Sequence, residues 1–144
     1  MQYLARFAPD GDGFVVTFPD FPEANTGGAN EIEALDNAGE ALELTVLSYV
    51  KEGRTLPQPT ALPQRGGGYH LVSVSAYAHA KIALIEAFRA SGISRAALAA
   101  RLGKGETEVR RMLDPLHATK LSSIEQALAL LGKRLVLSVV DTAA

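Results

Sequence analysis

The sequence predicts an α+β protein made of two small modules. The first is an N-terminal β-β-β-α module to which a fourth strand can return. The second is all-α and closes with a terminal strand. Three observations carry this. Two short alternating strands flank the turn-rich stretch Pro9-Asp10-Gly11-Asp12-Gly13. A helix with signals at both ends follows them. From residue 76 onward the chain is alanine-rich with helical spacing, set apart from the first half by a Pro/Gly stretch at 54–68. A chain of 144 residues, 47% hydrophobic and 21% charged, suits one ordinary domain or two very small ones and is not a disordered composition.

Each element has a local reason. In the first strand Tyr3, Ala5 and Phe7 alternate with Leu4 and Arg6, and in the second Phe14, Val16 and Phe18 alternate with Val15 and Thr17. Pro19-Asp20-Phe21-Pro22 stops the second strand, because proline cannot donate to a ladder. Residues 23–28 form a short third strand ended by Gly27-Gly28. Asn30 followed by Glu33 marks a capped helix start, and Gly53 marks its end. Ile32, Leu35, Leu42, Val46 and Tyr49, with Ala38 and Gly39, give that helix its apolar side. Residues 54–68 read as a linker, stiffened by Pro57, Pro59 and Pro63 and loosened by Gly66-Gly67-Gly68. Residues 69–75 alternate like a strand and belong to either module.

The second module reads as four short helices. The first holds Ile82, Leu84, Ile85 and Phe88 and ends near Ser91-Gly92. Ser94 caps the second, and Gly103 turns the chain into a third from Glu106 to Leu113. Ser122 or Ser123 caps the fourth, which stops at Gly132. Residues 135–140 are apolar and β-branched without a helical period, so they read as a strand. A lone strand needs a partner, and the same strand of a second chain is the nearest one. Leu135, Leu137 and Val139 are the candidate dimerisation residues.

Several function classes drop out. With no cysteine there is no thiol nucleophile and no Cys-ligated metal. No apolar run approaches the ~18 residues of a membrane span. The N-terminus lacks the basic start and apolar core of a signal peptide, which predicts a cytoplasmic address. His70, His79 and His117 follow no metal spacing, and Gly66-Gly67-Gly68 lacks the Lys-Ser/Thr of a phosphate loop. No cofactor is expected.

Charge divides the chain. Residues 1–60 hold three basic and ten acidic side chains, a net of −7, and residues 61–144 hold eleven and six, a net of +5. A basic half suits nucleic acid, and an acidic half suits a basic partner.

The stretch 94–113 carries the nucleic-acid signal. Two helices crossing steeply need a small residue at closest approach and a glycine at the turn, which Ala99 and Gly103 supply. Leu98, Leu102, Val109 and Met112 supply the anchors. This is a helix-turn-helix pattern, and residues 79–132 resemble the Cro/C1-type DNA-binding domain of phage-type repressors. In that likeness Glu106, Thr107, Arg110 and Arg111 lie on the recognition helix, where arginine can pair with guanine and glutamate with cytosine. Arg95, Lys104 and Lys120 suit phosphates. Lys104 stands where that turn usually carries an apolar residue, and Gly105 where the helix usually starts with Ser or Thr.

A hairpin followed by a helix also resembles a fragment of the ribonuclease H-like fold, whose nucleases hold metal with a carboxylate in the middle of the first strand. Residues 2–8 contain no acid, and Asp10, Asp12 and Asp20 fall in turns. A closer likeness spans the whole module. Tyr3-x-Ala5-x-Phe7, Asp12-Gly13-Phe14 through Phe18-Pro19-Asp20-Phe21-Pro22, Thr26-Gly27-Gly28 and Tyr49-x-x-x-Gly53-Arg54-x-Leu56-Pro57 together resemble the HicB antitoxin family. That resemblance implies a partial ribonuclease H-like fold without nuclease activity and hence no enzyme. It also implies a HicA-like mRNA-cleaving toxin as partner, and operator DNA bound by a homodimer or higher oligomer. By the same resemblance Phe18, Asp20, Phe21 and Glu23 are the toxin-contact candidates. The competing readings are a stand-alone ligand-sensing repressor and a ribonuclease H-type nuclease.

Overall fold

The computed structural model describes residues 1–63 and 67–141. The chain divides into two compact units, Met1–Ala78 and His79–Ala144. The glycine stretch read as the loose end of the linker falls partly outside the described residues, which stop at 63 and resume at 67.

The first unit is an antiparallel sheet in the order β3-β2-β1-β4. The strands are β1 (Gln2–Asp10), β2 (Gly13–Phe18), β3 (Phe21–Gly28) and β4 (Tyr69–Ser73). The first hairpin is tighter than its sequence suggests. Asp10 pairs with Gly13, so Asp10 ends the strand and the turn is only Gly11-Asp12, with Gly11 at φ +59°. The second hairpin is equally tight. Phe18 pairs with Phe21 across Pro19-Asp20, and β3 therefore starts two residues before the predicted third strand. It contains Pro22, which an edge strand tolerates because one side of its backbone needs no donor. β4 pairs with β1 from Gln2↔Ser73 to Arg6↔Tyr69, which places the ambiguous strand in the first unit.

Helix α1 (Glu31–Lys51) covers this sheet. Asn30 Oδ1 accepts the Glu33 N–H at 2.9 Å, the predicted cap. The buried stripe is Ala34, Ala38, Leu42, Val46, Leu47, Tyr49 and Val50. Ile32 and Leu35, expected in the core, are 75% and 38% exposed. The cause is how closely the helix start approaches β3. A Cβ on Gly28 would lie 2.4 Å from the Ala34 nitrogen. Only alanines fit between helix and strand there, so the larger side chains rotate outward. Asn37 Nδ2 adds a 2.8 Å bond to the Gly27 carbonyl. Gly28→Ala should therefore destabilise the protein by about 1–3 kcal/mol, because the obstacle is backbone. An unchanged denaturation midpoint would show instead that α1 can lift from the strand.

The predicted linker begins folded onto the sheet. The Tyr3 hydroxyl donates to the Pro57 carbonyl at 3.0 Å, and Asp20 accepts from Thr60 N and Oγ1 at 2.9 and 2.6 Å.

The second unit contains α2 (Ala76–Ser91, its first turn in the first unit), α3 (Arg95–Leu102), α4 (Glu106–Met112) and α5 (Leu121–Leu130). Ser94 Oγ caps α3 by accepting from Ala97 N. Gly103 ends it at φ +65°, with Gly103 N bonded to Ala100 O and Lys104 N to Ala99 O. α5 starts after Lys120, ahead of the serines expected to cap it, and has no side-chain cap. Leu98, Ala99, Val109, Met112, Ile124, Ala127 and Leu128 fill the core with Ile82, Leu84 and Ile85. Residues 135–140, predicted as a strand, make no ladder within the chain. A strand exists only through its pairing, and none of the described strands pairs with this segment.

Candidate functional site

In the first unit, the hairpin that joins β2 to β3 places its aromatic side chains inward. Phe18 and Phe21 are buried. The Phe21 ring meets Tyr3 at 4.7 Å and Tyr49 at 5.1 Å, both edge-on. The two phenylalanines expected at the toxin contact are thus buried in the chain by itself, and Phe21 packs against Tyr3 and Tyr49. Glu23 is engaged too. The Tyr49 hydroxyl donates to its carboxylate, which holds Glu23 below the usual carboxylate range and pushes Tyr49 up. The Arg54 guanidinium lies 3.8 Å over the Tyr49 ring, 3.7 Å from Glu23 and 3.4 Å from Glu52. The Tyr49…Gly53-Arg54 pattern is thus a latch closing the end of α1. Of the four candidates, Asp20 and Glu23 keep polar atoms at the surface, and Asp20 also holds Thr60.

Sequence reasoning missed a groove on the other side of α1. It is about 500 Å³, lined by Leu35, Asp36, Gly39, Glu40 and Glu43 and by residues 73–76. Three carboxylates and no basic side chain line it. The signal was present as acids spaced three and four apart on one helix face.

In the second unit, α3 and α4 meet across the turn 103–105 through buried Leu98, Ala99, Val109 and Met112. Glu106, Thr107, Arg110, Arg111, Arg95 and Lys120 are exposed, as base- and phosphate-facing groups must be, and Lys104 is half-buried. Lys104 Nζ sits 3.2 Å from Glu108 Oε1, so part of its charge is already answered. A cleft of about 290 Å³ brings Lys104, Arg111 and Lys120 together, with His117, Thr119 and Ser123 in its wall. Glu106, Thr107, Arg110 and Arg95 lie outside it. Behind this surface is Lys81, which is fully buried. Burial pulls its ammonium down to about 8, against a smaller upward effect of Asp114, so it still carries its charge at neutral pH.

Among the dimerisation candidates, Leu135 is half-buried and lines a groove of about 420 Å³ with Ala83, Ala87, Ala90 and Leu128. Val136, Leu137 and Val139 are 69%, 53% and 101% exposed. Among the described residues no group of three metal-ligating side chains occurs, and no helix is long and apolar enough to cross a membrane.

Residues 2–83 match the family described as HicB_like antitoxin of bacterial toxin-antitoxin system, which places this chain among antitoxins. The chain is 37% identical over 137 residues to Antitoxin HicB 2 of Photorhabdus laumondii, covering 95% of each. It is 35% identical over 133 residues to Antitoxin HicB of Escherichia coli K12, covering 92% of this chain and 94% of that one. The chain belongs to the HicB antitoxin family. Among solved structures, the N-terminal domain of Burkholderia pseudomallei antitoxin HicB is 25% identical with a TM-score of 0.44, covering 52% of this chain and 99% of that one. A chain of the HicA3 and HicB3 toxin-antitoxin complex is 26% identical with a TM-score of 0.45 and the same coverages.

Proposed function

We propose that the first unit neutralises a HicA-like, RNA-cleaving toxin by covering its active site, and that the second unit represses the chain's own operon as a DNA-bound dimer. The observation that carries this is the charge division along the compact units of an antitoxin chain. Residues 1–78 hold four basic and ten acidic side chains, and residues 79–144 hold ten and six. An RNA-cleaving toxin must be basic where RNA binds, and an acidic unit both occludes such a surface and steers the encounter. We place that contact on the acidic surface of the unit, on Asp20 and Glu23 of the hairpin together with the acid-lined groove of α1. The unit works as a cover and not as a nuclease, because no carboxylate stands mid-strand in β1. In the second unit α3, the turn and α4 act as a helix-turn-helix that lays α4 in the major groove.

The test is to purify the tagged chain from its native cells at moderate salt and identify its companions by mass spectrometry. A stoichiometric small basic protein encoded beside it is expected, and Glu40→Lys with Glu43→Lys should slow its association. A clean homodimer that still retards its upstream DNA would replace this reading with a stand-alone repressor.

A further inference from the structure

Lys81 lies on α2, behind the cleft that Arg111, His117 and Thr119 line, and no solvent reaches it. An ammonium can be buried only if oxygen atoms replace its water. Three do. Its Nζ is 2.9 Å from the His117 carbonyl oxygen, 2.5 Å from Thr119 Oγ1 and 3.4 Å from the Arg111 carbonyl oxygen. A lysine ammonium has three donors and no acceptor, so these oxygens saturate it. Arg111 is in the last turn of α4, while His117 and Thr119 sit in the loop between α4 and α5. The carbonyl end of a helix carries partial negative charge, which a buried cation answers.

Besides these bonds and the Lys104–Glu108 ion pair at its start, α4 has few directed contacts. It is seven residues long and has no side-chain cap at Gly105. Val109 and Met112 anchor one side of it in the core. Two apolar contacts tolerate small rotations about the helix axis, and directed hydrogen bonds at its end do not. An apolar residue would serve burial alone at least as well, since replacing a buried ion by a hydrophobic side chain is often neutral or stabilising. We infer that Lys81 is a positioning residue for operator recognition: through Arg111, His117 and Thr119 it fixes the rotation and depth of α4, and so aims Glu106, Thr107 and Arg111 at base edges. The inference rests on the operator-binding reading above.

Two variants test it. Lys81→Met keeps the length of the stem and removes all three donors. Thr119→Val keeps the shape and removes one acceptor. Affinity is measured at pH 7 and fixed salt, for a duplex of the DNA directly upstream of the gene and for a shuffled duplex of equal length. Lys81→Met should lose roughly tenfold or more on the upstream duplex. On the shuffled duplex, where phosphate contacts dominate, it should lose less than about threefold. Thr119→Val should shift the ratio the same way by a smaller factor, and neither change should alter toxin binding. A cooperatively folded Lys81→Met with an unchanged ratio, or an equal loss on both duplexes, overturns the inference. If Lys81→Met does not fold, the ratio for Thr119→Val decides, and an unchanged ratio overturns it. A wild-type chain that does not distinguish the duplexes defeats the operator reading itself, and this inference with it.

Discussion

Ending the chain after Arg134 is expected to make the protein monomeric and to lower its operator affinity by roughly 10²–10⁴. The reason lies in what the tail leaves uncovered. Val136, Leu137, Val139 and Val140 are exposed apolar side chains in one short run, in a segment with no backbone ladder of its own. Pairing with the same segment of a second chain would supply the ladder and cover those side chains together. Two α4 helices held by such a ribbon engage two half-sites about one DNA turn apart, ~34 Å. The second contact is then intramolecular, which is where the large factor comes from. Light scattering reads the mass, and a titration against the upstream duplex reads the affinity. Leu137→Glu and Val139→Glu should act like the truncation, whereas a change at Leu135 should also disturb the unit's own groove. A truncated chain that is still dimeric would move the dimer contact elsewhere. A monomer with undiminished affinity would remove the need for a palindrome.

The second large effect is expected at Arg111. Its side chain is exposed, and its backbone is held by Lys81. Arg111→Ala should cost roughly 1–3 kcal/mol at one base pair and relax the preference there, as the loss of a bidentate contact to guanine does. A panel of single-base operator variants reads this directly. If Arg111→Ala weakens every sequence equally and lowers the salt slope by about one, the residue faces a phosphate instead. That outcome would agree with the cleft that gathers Lys104, Arg111 and Lys120, where Glu108 answers part of the Lys104 charge. Base reading would then rest on Glu106, Thr107 and Arg110.

Local chemistry was legible in the sequence at several caps and turns, though not at the start of α5, where the expected serine cap is absent. Asn30 with Glu33, Ser94 and Gly103 each sit where expected, because a cap or a left-handed turn depends on neighbours within five residues. The anchors Leu98, Ala99, Val109 and Met112 were legible for the same reason. Long-range effects were not. Ile32 and Leu35 fit a helical stripe, yet the approach of Gly28 to Ala34 turned them outward, and no local pattern reports that distance. The Phe18–Phe21 segment carries a family motif that suggested a contact surface. Its Phe21 ring instead completes a cluster with Tyr3 and Tyr49, residues far away in sequence. Lys81 looked like one more basic residue of a basic half. Only the fold shows that its charge points inward at the end of α4.

The latch at the end of α1 bears on which amino acids could ever stand at position 54. A flat guanidinium can lie on the Tyr49 ring while one of its nitrogens, Nη1, sits between Glu23 and Glu52. A lysine would keep the charge but offer no plane to stack on the Tyr49 ring. Arginine and tyrosine are thus one choice made twice, and drift at either site forfeits the value of the other. In a random library sorted only for folding, positions 23, 49 and 54 should be inherited as a set, while Ile32 and Leu44, open to solvent on the same helix, wander freely.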